Sequence, residues 1–146
     1  MAVTPKAYGL FLQSLLEGRI DALNYPIMCA LVGSGYTPNQ NTHKFRSVVT
    51  NEIIGSGYAN GGKQVTGIQL QYTAGSRTLK LTGSNVVWPG ITFSGARYAV
   101  LYSAPPVAIS AQPLIAYVDF GANINRVDTP FEIVWPAGGI LALAVP

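Results

Sequence analysis

The chain has 146 residues and a formal charge of +3, with 49% hydrophobic but only 10% charged side chains. One domain of that size buries a real core. With roughly a quarter of residues charged in an ordinary soluble domain, its surface must be made of Ser, Thr, Asn, Gln and Gly. The basic residues stand singly, Lys44 and Arg46 being the closest pair, so the clustered patch of a nucleic-acid binder is missing and no nucleic-acid partner is expected. A surface so poor in charge is instead suited to burial against other chains.

The lone cysteine, Cys29, excludes an intrachain disulfide, and its setting in Pro26-Ile27-Met28-Cys29-Ala30-Leu31-Val32 predicts a buried small hydrophobe. No basic-then-apolar segment opens the chain, and no apolar run reaches the ~18 to 20 residues of a membrane span. The expectation is a protein made and folded in a cytoplasm, with no membrane partner.

Residues 1–24 read as an N-terminal helix and arm, and 25–146 as a β domain. Leu10, Phe11, Leu15 and Leu16, with Leu12 beside them, recur near helical spacing and predict a helix over Lys6 to Ile20. Thr4 would cap it, Pro5 suits its first position and Gly18 its end. Its polar face is neutral, which suits packing on a sheet or subunit better than lying on a membrane.

Short β segments follow. Ile27 to Val32 is a continuous apolar run, and Phe45 to Ile54 is a mixed strand-like segment. Val65 to Thr73 alternates strictly, with Thr66, Ile68, Leu70 and Tyr72 on one face. Thr78 to Thr82, Ala96 to Ser103, Leu114 to Phe120, Phe131 to Trp135 and Ile140 to Val145 complete the set. Turn signals separate them at Gly83-Ser84-Asn85, Pro89-Gly90, Pro105-Pro106, Gly121-Ala122-Asn123 and Ala137-Gly138-Gly139. This spacing predicts a mainly β fold, an antiparallel β-sandwich or barrel-like domain with one N-terminal α-helix.

Gly57-Tyr58-Ala59-Asn60-Gly61-Gly62-Lys63 fits the opening of a phosphate-binding loop. The next position is Gln64, which cannot replace the metal-binding hydroxyl. Val65 onward has strand periodicity, so the helix dipole of such a site is missing. The dinucleotide fingerprint also fails, because Gly55-Ser56-Gly57 has no glycine at position 60. The glycines are better read as a loop between two strands, with Asn60-Gly61 a turn and Tyr58 folded over the core edge. No nucleotide or other cofactor is expected.

The same segment resembles one common in small tailed-phage virion proteins. That pattern, EIxGxGYxxGG followed by an alternating strand, is carried here by Glu52, Ile54, Gly55, Gly57, Tyr58, Gly61 and Gly62. The helix "YGLFLQSLLEGRID" and the strands "PIMCALV", "ARYAVLYSA", "PLIAYVDFG" and "PFEIVWPAGGILAL" agree in order, so the resemblance spans nearly the whole chain. It is to the head-decoration, or cement, and head-fibre proteins. Their likeness implies a β-rich, non-enzymatic oligomer, a trimer among the options, with the major capsid protein and other virion proteins as partners. Related modules in tail proteins leave a tail or fibre component, an adaptor or glycan binder, as the alternative. Arg46-Ser47 departs from the pattern, where Asp is common, and implies that a polar interaction of the family is missing at this position.

Few residues could carry chemistry. His43 is the only histidine and reads as a solvated loop residue; a zinc site built on it would need unusual carboxylate support. Glu17 and Asp21 read as an exposed face balanced by Arg19. Glu52 and Asp119, if buried, need hydrogen-bond or cationic partners and read as structural anchors. An enzyme would require His43, Glu52 and Asp119 together in one deep pocket, and no metal site is expected. Trp88 and Trp135 read first as core and secondly, with Leu12, as interface contacts.

Overall fold

A computed structural model describes residues 1–146. Strands hold 47% of the residues and helices 9%, so the chain is mainly β, with antiparallel sheets in a sandwich-like arrangement. The larger sheet contains β1 (Lys6–Ala7), β2 (Ile27–Gly33), β3 (Lys63–Val65), β6 (Val86–Ser103) and β7 (Leu114–Ile133), in the order β1-β7-β6-β2-β3. The smaller contains β4 (Gln69–Thr73), β5 (Thr78–Thr82) and β8 (Leu141–Ala144), in the order β4-β5-β8. The single α-helix, α1, runs from Leu10 to Leu16.

The long β6–β7 ribbon organises the molecule. Pro89-Gly90 and Gly121-Ala122-Asn123, expected as turns, lie inside these strands. Pro89 has no N–H for a ladder, and the β6–β7 register slips between Trp88 and Ile91, with further slips up to Tyr98 and again between Leu101 and Tyr102. Such irregularities bend a ribbon without ending it. The C-terminal half of β6 pairs with β2, from Ala96 opposite Gly33 to Ser103 opposite Ile27. Its N-terminal half continues past the end of β2. Trp88, Phe93, Phe120 and Phe131 pack together there, with ring centroids 5.5–6.0 Å from Phe131. Leu31, Leu101, Ile115 and Ile133 fill the rest of a continuous core, and Cys29 is fully buried within it.

Other expectations are corrected as well. The helix does not begin at Lys6: residues 6 and 7 pair with Tyr117 and Ala116 of β7, because the free edge of that strand offers ladder partners. Thr4 does not cap α1; the helix starts after Gly9, whose N–H is held by the Gln40 carbonyl at 2.9 Å. Residues before the helix are tied to the sheet as well: the Met1 ammonium donates to the Glu132 carbonyl at 2.8 Å and Ala2 bridges Val134. Phe45 to Ile54 is not a strand but a 3-10 turn at Arg46–Val48 and an isolated bridge from Glu52 to Val32. Val65 to Thr73 breaks after β3, and its two pieces join different sheets. The Ser84 N–H takes the Thr66 carbonyl at 2.8 Å, which turns the chain away just where the alternation suggested continuity.

Candidate functional site

The segment Asn51 to Gly62 forms a strap from the free edge of β2 to β6 and back. The Gly33 N–H donates to the Asn51 carbonyl at 2.8 Å, and the Ile53 N–H to the Leu31 carbonyl at 3.0 Å. The strap then leaves β2, which would strand the Leu31 N–H without a ladder partner, a costly state for a buried donor. The Tyr58 hydroxyl accepts it at 3.0 Å and donates in turn to Glu52 Oε1 at 2.6 Å. The same Oε1 accepts the Gly61 N–H at 2.6 Å, while Oε2 accepts Arg46 Nη2 at 2.6 Å. Arg46 also donates to the Val49 carbonyl at 3.3 Å, and its guanidinium lies 5.1 Å from the Tyr102 ring centre. The Tyr102 hydroxyl closes the circuit on the Gly61 carbonyl at 2.5 Å. Burial, and then the Glu52 carboxylate, push the Tyr58 phenol up, so it stays a donor at any ordinary pH. Arg46, at the position where the resemblance implied a missing interaction, supplies the cation of this network.

The glycines let the strap lie flat. Gly57 has φ +80°, and a Cβ on it would stand 2.2 Å from the Gly90 carbonyl oxygen. Gly62 has φ +87°, and its Cβ would stand 2.0 Å from the Cys29 oxygen. Gly55 is pressed as closely on Thr92. The apparent phosphate loop has its groups engaged within the chain. The Gly61 N–H is held by Glu52, the Gly62 N–H by the Ala59 carbonyl, and the Lys63 ammonium by the Val87 carbonyl. A strand, β3, follows in place of a helix.

The structure does not bring His43, Glu52 and Asp119 together in a pocket. His43 Nδ1 accepts the Asn39 N–H at 3.2 Å, so it carries no proton, and the Tyr36 hydroxyl 2.9 Å away must donate to it too. The fully buried Tyr8 hydroxyl then donates to Tyr36 at 2.9 Å. Burial lowers the His43 pKa, as expected where both neighbours present hydrogens. Asp119 accepts Arg97 at 2.8 and 3.3 Å and the Gly121 N–H at 2.8 Å. The Arg97 contact, then the Gly121 N–H, hold its carboxyl below the ordinary range. Asp119 borders a shallow hollow beside Met1–Thr4, whereas His43 and Glu52 line no cavity. Glu17 takes Arg19, Lys44 and Gln13, and the first two bring its pKa to about 2. Asp21 caps the turn at Leu23 and Asn24. Burial raises the Cys29 thiol to about 12. No three His, Cys, Asp or Glu side chains form a group that could hold a metal, and no helix is long and apolar enough to cross a membrane.

The most enclosed concave feature is apolar. The small sheet turns one face toward α1 and the Ile20–Leu23 turn. Register places Leu70 opposite Leu81, Leu81 opposite Leu141, and Leu79 opposite Leu143, so these leucines share that face. Between them, Phe11, Leu15, Leu23, Ile27 and Ile115 lies a cleft of about 420 Å³, whose one charged neighbour is Asp21. The cleft lies within the usual size range for ligand and side-chain pockets. Around it the chain exposes Leu23 by 65% and Leu70 by 46%, and Leu16, on the outer face of α1, by 92%. Sequence reading missed the cleft. Its signal was the period-two leucines of Leu79/Leu81 and Leu141/Leu143, which mark a face needing cover without saying what covers it.

Of the three candidate interface residues, only Leu12 is accessible, at 51%. Trp88 is buried against Tyr58 and Phe131, and the buried Trp135 gives its indole N–H to the Ser84 carbonyl at 2.9 Å. Compared with family models, curated proteins and solved structures, the chain matches none of them.

Proposed function

We propose that this chain is a non-enzymatic structural protein of a bacteriophage virion, a capsid decoration or cement protein that docks across neighbouring major-capsid subunits. The observation that carries the reading is the apolar cleft with exposed leucines around it, on a molecule with few charged side chains. Docking there buries apolar area at roughly 25 cal/mol per Å² with few charges to desolvate. Repetition over a lattice multiplies a modest contact into firm retention. The resemblance in "EIIGSGYANGG" supports the same class.

A tail or fibre component that joins other tail parts would use the same apolar surface. A glycan-binding version draws less support, because both tryptophans are buried and only Tyr25 and Tyr72 of the eight tyrosines are exposed. The test is electron microscopy of purified virions with a labelled antibody to this chain. Label over the head is the expected result, and Leu23→Lys should reduce it while leaving the fold intact. Label confined to the tail would replace decoration by the tail reading, and an unlabelled virion would sink both.

A further inference from the structure

The free edges of the two sheets are not equally protected. Exposed edge strands recruit other chains unless they are short, charged, interrupted or covered. In the large sheet, β1 has two residues including Lys6, and β3 has three beginning with Lys63. In the small sheet, β8 has four residues and is followed one residue later by Pro146, which has no N–H to offer a further strand. β4 has no such guard. Its five residues, Gln69-Leu70-Gln71-Tyr72-Thr73, carry no charge, proline or glycine, and all five are exposed. Its other side is paired in unbroken register with β5, from Gln69 opposite Thr82 to Thr73 opposite Thr78, so the free edge is straight.

We propose that β4 is a self-association edge, pairing antiparallel with β4 of a second copy about a two-fold axis at Gln71. The segment is complementary to its own reverse. In that register Gln71 meets Gln71, Leu70 meets Tyr72, and Gln69 meets Thr73. On one face Leu70 and Tyr72, 46% and 54% exposed in the single chain, cover each other across the axis. On the other face stand only amides and a hydroxyl, so no like charges oppose. A two-fold contact must be self-complementary in this way. The result is a six-stranded sheet whose apolar face runs from one cleft to the other. Five paired residues fall well short of the roughly 800 Å² per partner of a standard interface, so the dimer is weak and concentration-dependent. The inference does not rest on the virion reading.

The test is sedimentation velocity over a concentration series, with cysteine cross-linking. Wild-type protein is expected to shift from monomer to dimer as concentration rises. Gln71→Lys, which sets two ammonium groups against each other, is expected to abolish the dimer with an unchanged circular dichroism spectrum. Gln71→Cys is expected to form a disulfide-linked dimer under mild oxidation, because position 71 faces itself. Gln69→Cys is expected not to, since its copies lie roughly 14 Å apart along the paired strands. Cys29 is buried and does not confuse the assay. A monomer at every concentration, equal cross-linking at 69 and 71, or an oligomer indifferent to Gln71→Lys would overturn the proposal.

Discussion

The strap and the small sheet are both appended to the β6–β7 ribbon, and they complete their surfaces in opposite ways. The strap is polar inside: Glu52, Arg46, Tyr58, Tyr102 and the Gly61 peptide satisfy one another, and its glycines press the backbone onto β6 and β2. Its buried polar groups are paired within the chain, and Ile54, 94% exposed, is the one large apolar side chain it turns outward. The small sheet is apolar inside and incompletely covered, with a cleft under its leucines and an unpaired edge at β4. A network finished within the chain stabilises the fold, whereas an unfinished apolar face has its remaining free energy available to whatever docks on it. The difference separates residues whose polar groups are paired within the fold from residues whose apolar surface is still open.

The contrast can be broken most sharply at Gly57. A valine there meets both the positive φ and the Gly90 oxygen, so Gly57→Val is expected to cost about 4 kcal/mol or more, read by urea denaturation or as failure to fold. Next comes Glu52→Ala. It leaves the Arg46 guanidinium nearly buried without its anion, with an expected loss of about 3 kcal/mol; Glu52→Gln should lose less, because it keeps an acceptor. If Glu52→Ala were neutral, the strap would not be the stabilising half of the comparison.

In the small sheet, Leu79→Ala is expected to cost about 1–2 kcal/mol, below the ~2–5 of a closed-core truncation such as Leu101→Ala, because an open cleft already limits what Leu79 can lose. Amide exchange should then show lower opening free energies in β4, β5 and β8 than in β6 and β7. Equal protection of the two sheets would erase the distinction.

A pH effect follows from His43. Its folded pKa is lowered, so the unfolded chain binds the proton more readily. Stability is full above the ordinary histidine value near 6.5 and falls as pH drops toward the folded value. His43→Gln should flatten that part of a melting-temperature profile. Lys63→Ala is the smallest change, within about 0.5 kcal/mol, because its ammonium only braces the exposed Val87 carbonyl.

Much of the architecture was legible in the chain because burial imposes a period. Ile27 to Val32 reads as a buried strand, and Thr78 to Thr82 matches β5 residue for residue. The glycines of the strap were legible as turns, since few other residues adopt positive φ. The leucine spacing gave the helix its existence but not its length, because the first residues were claimed by the edge of β7. Local signals also failed at Pro89-Gly90 and Gly121-Ala122, where a long ribbon absorbed as irregularities what would end a shorter strand.

By itself the sequence determined a mainly β chain with one helix, a surface poor in charge, a buried cysteine and a glycine-rich strap. Those properties follow from composition, periodicity and backbone sterics, which act on neighbours along the chain. Only the tertiary structure decided that Arg46 and Tyr58 would meet Glu52, that Val65 to Thr73 would divide between two sheets, and that leucines from β4, β5, β8 and α1 would surround a cleft. These outcomes depend on which distant segments compete for the same strand edge or the same apolar face, and that competition is resolved in space.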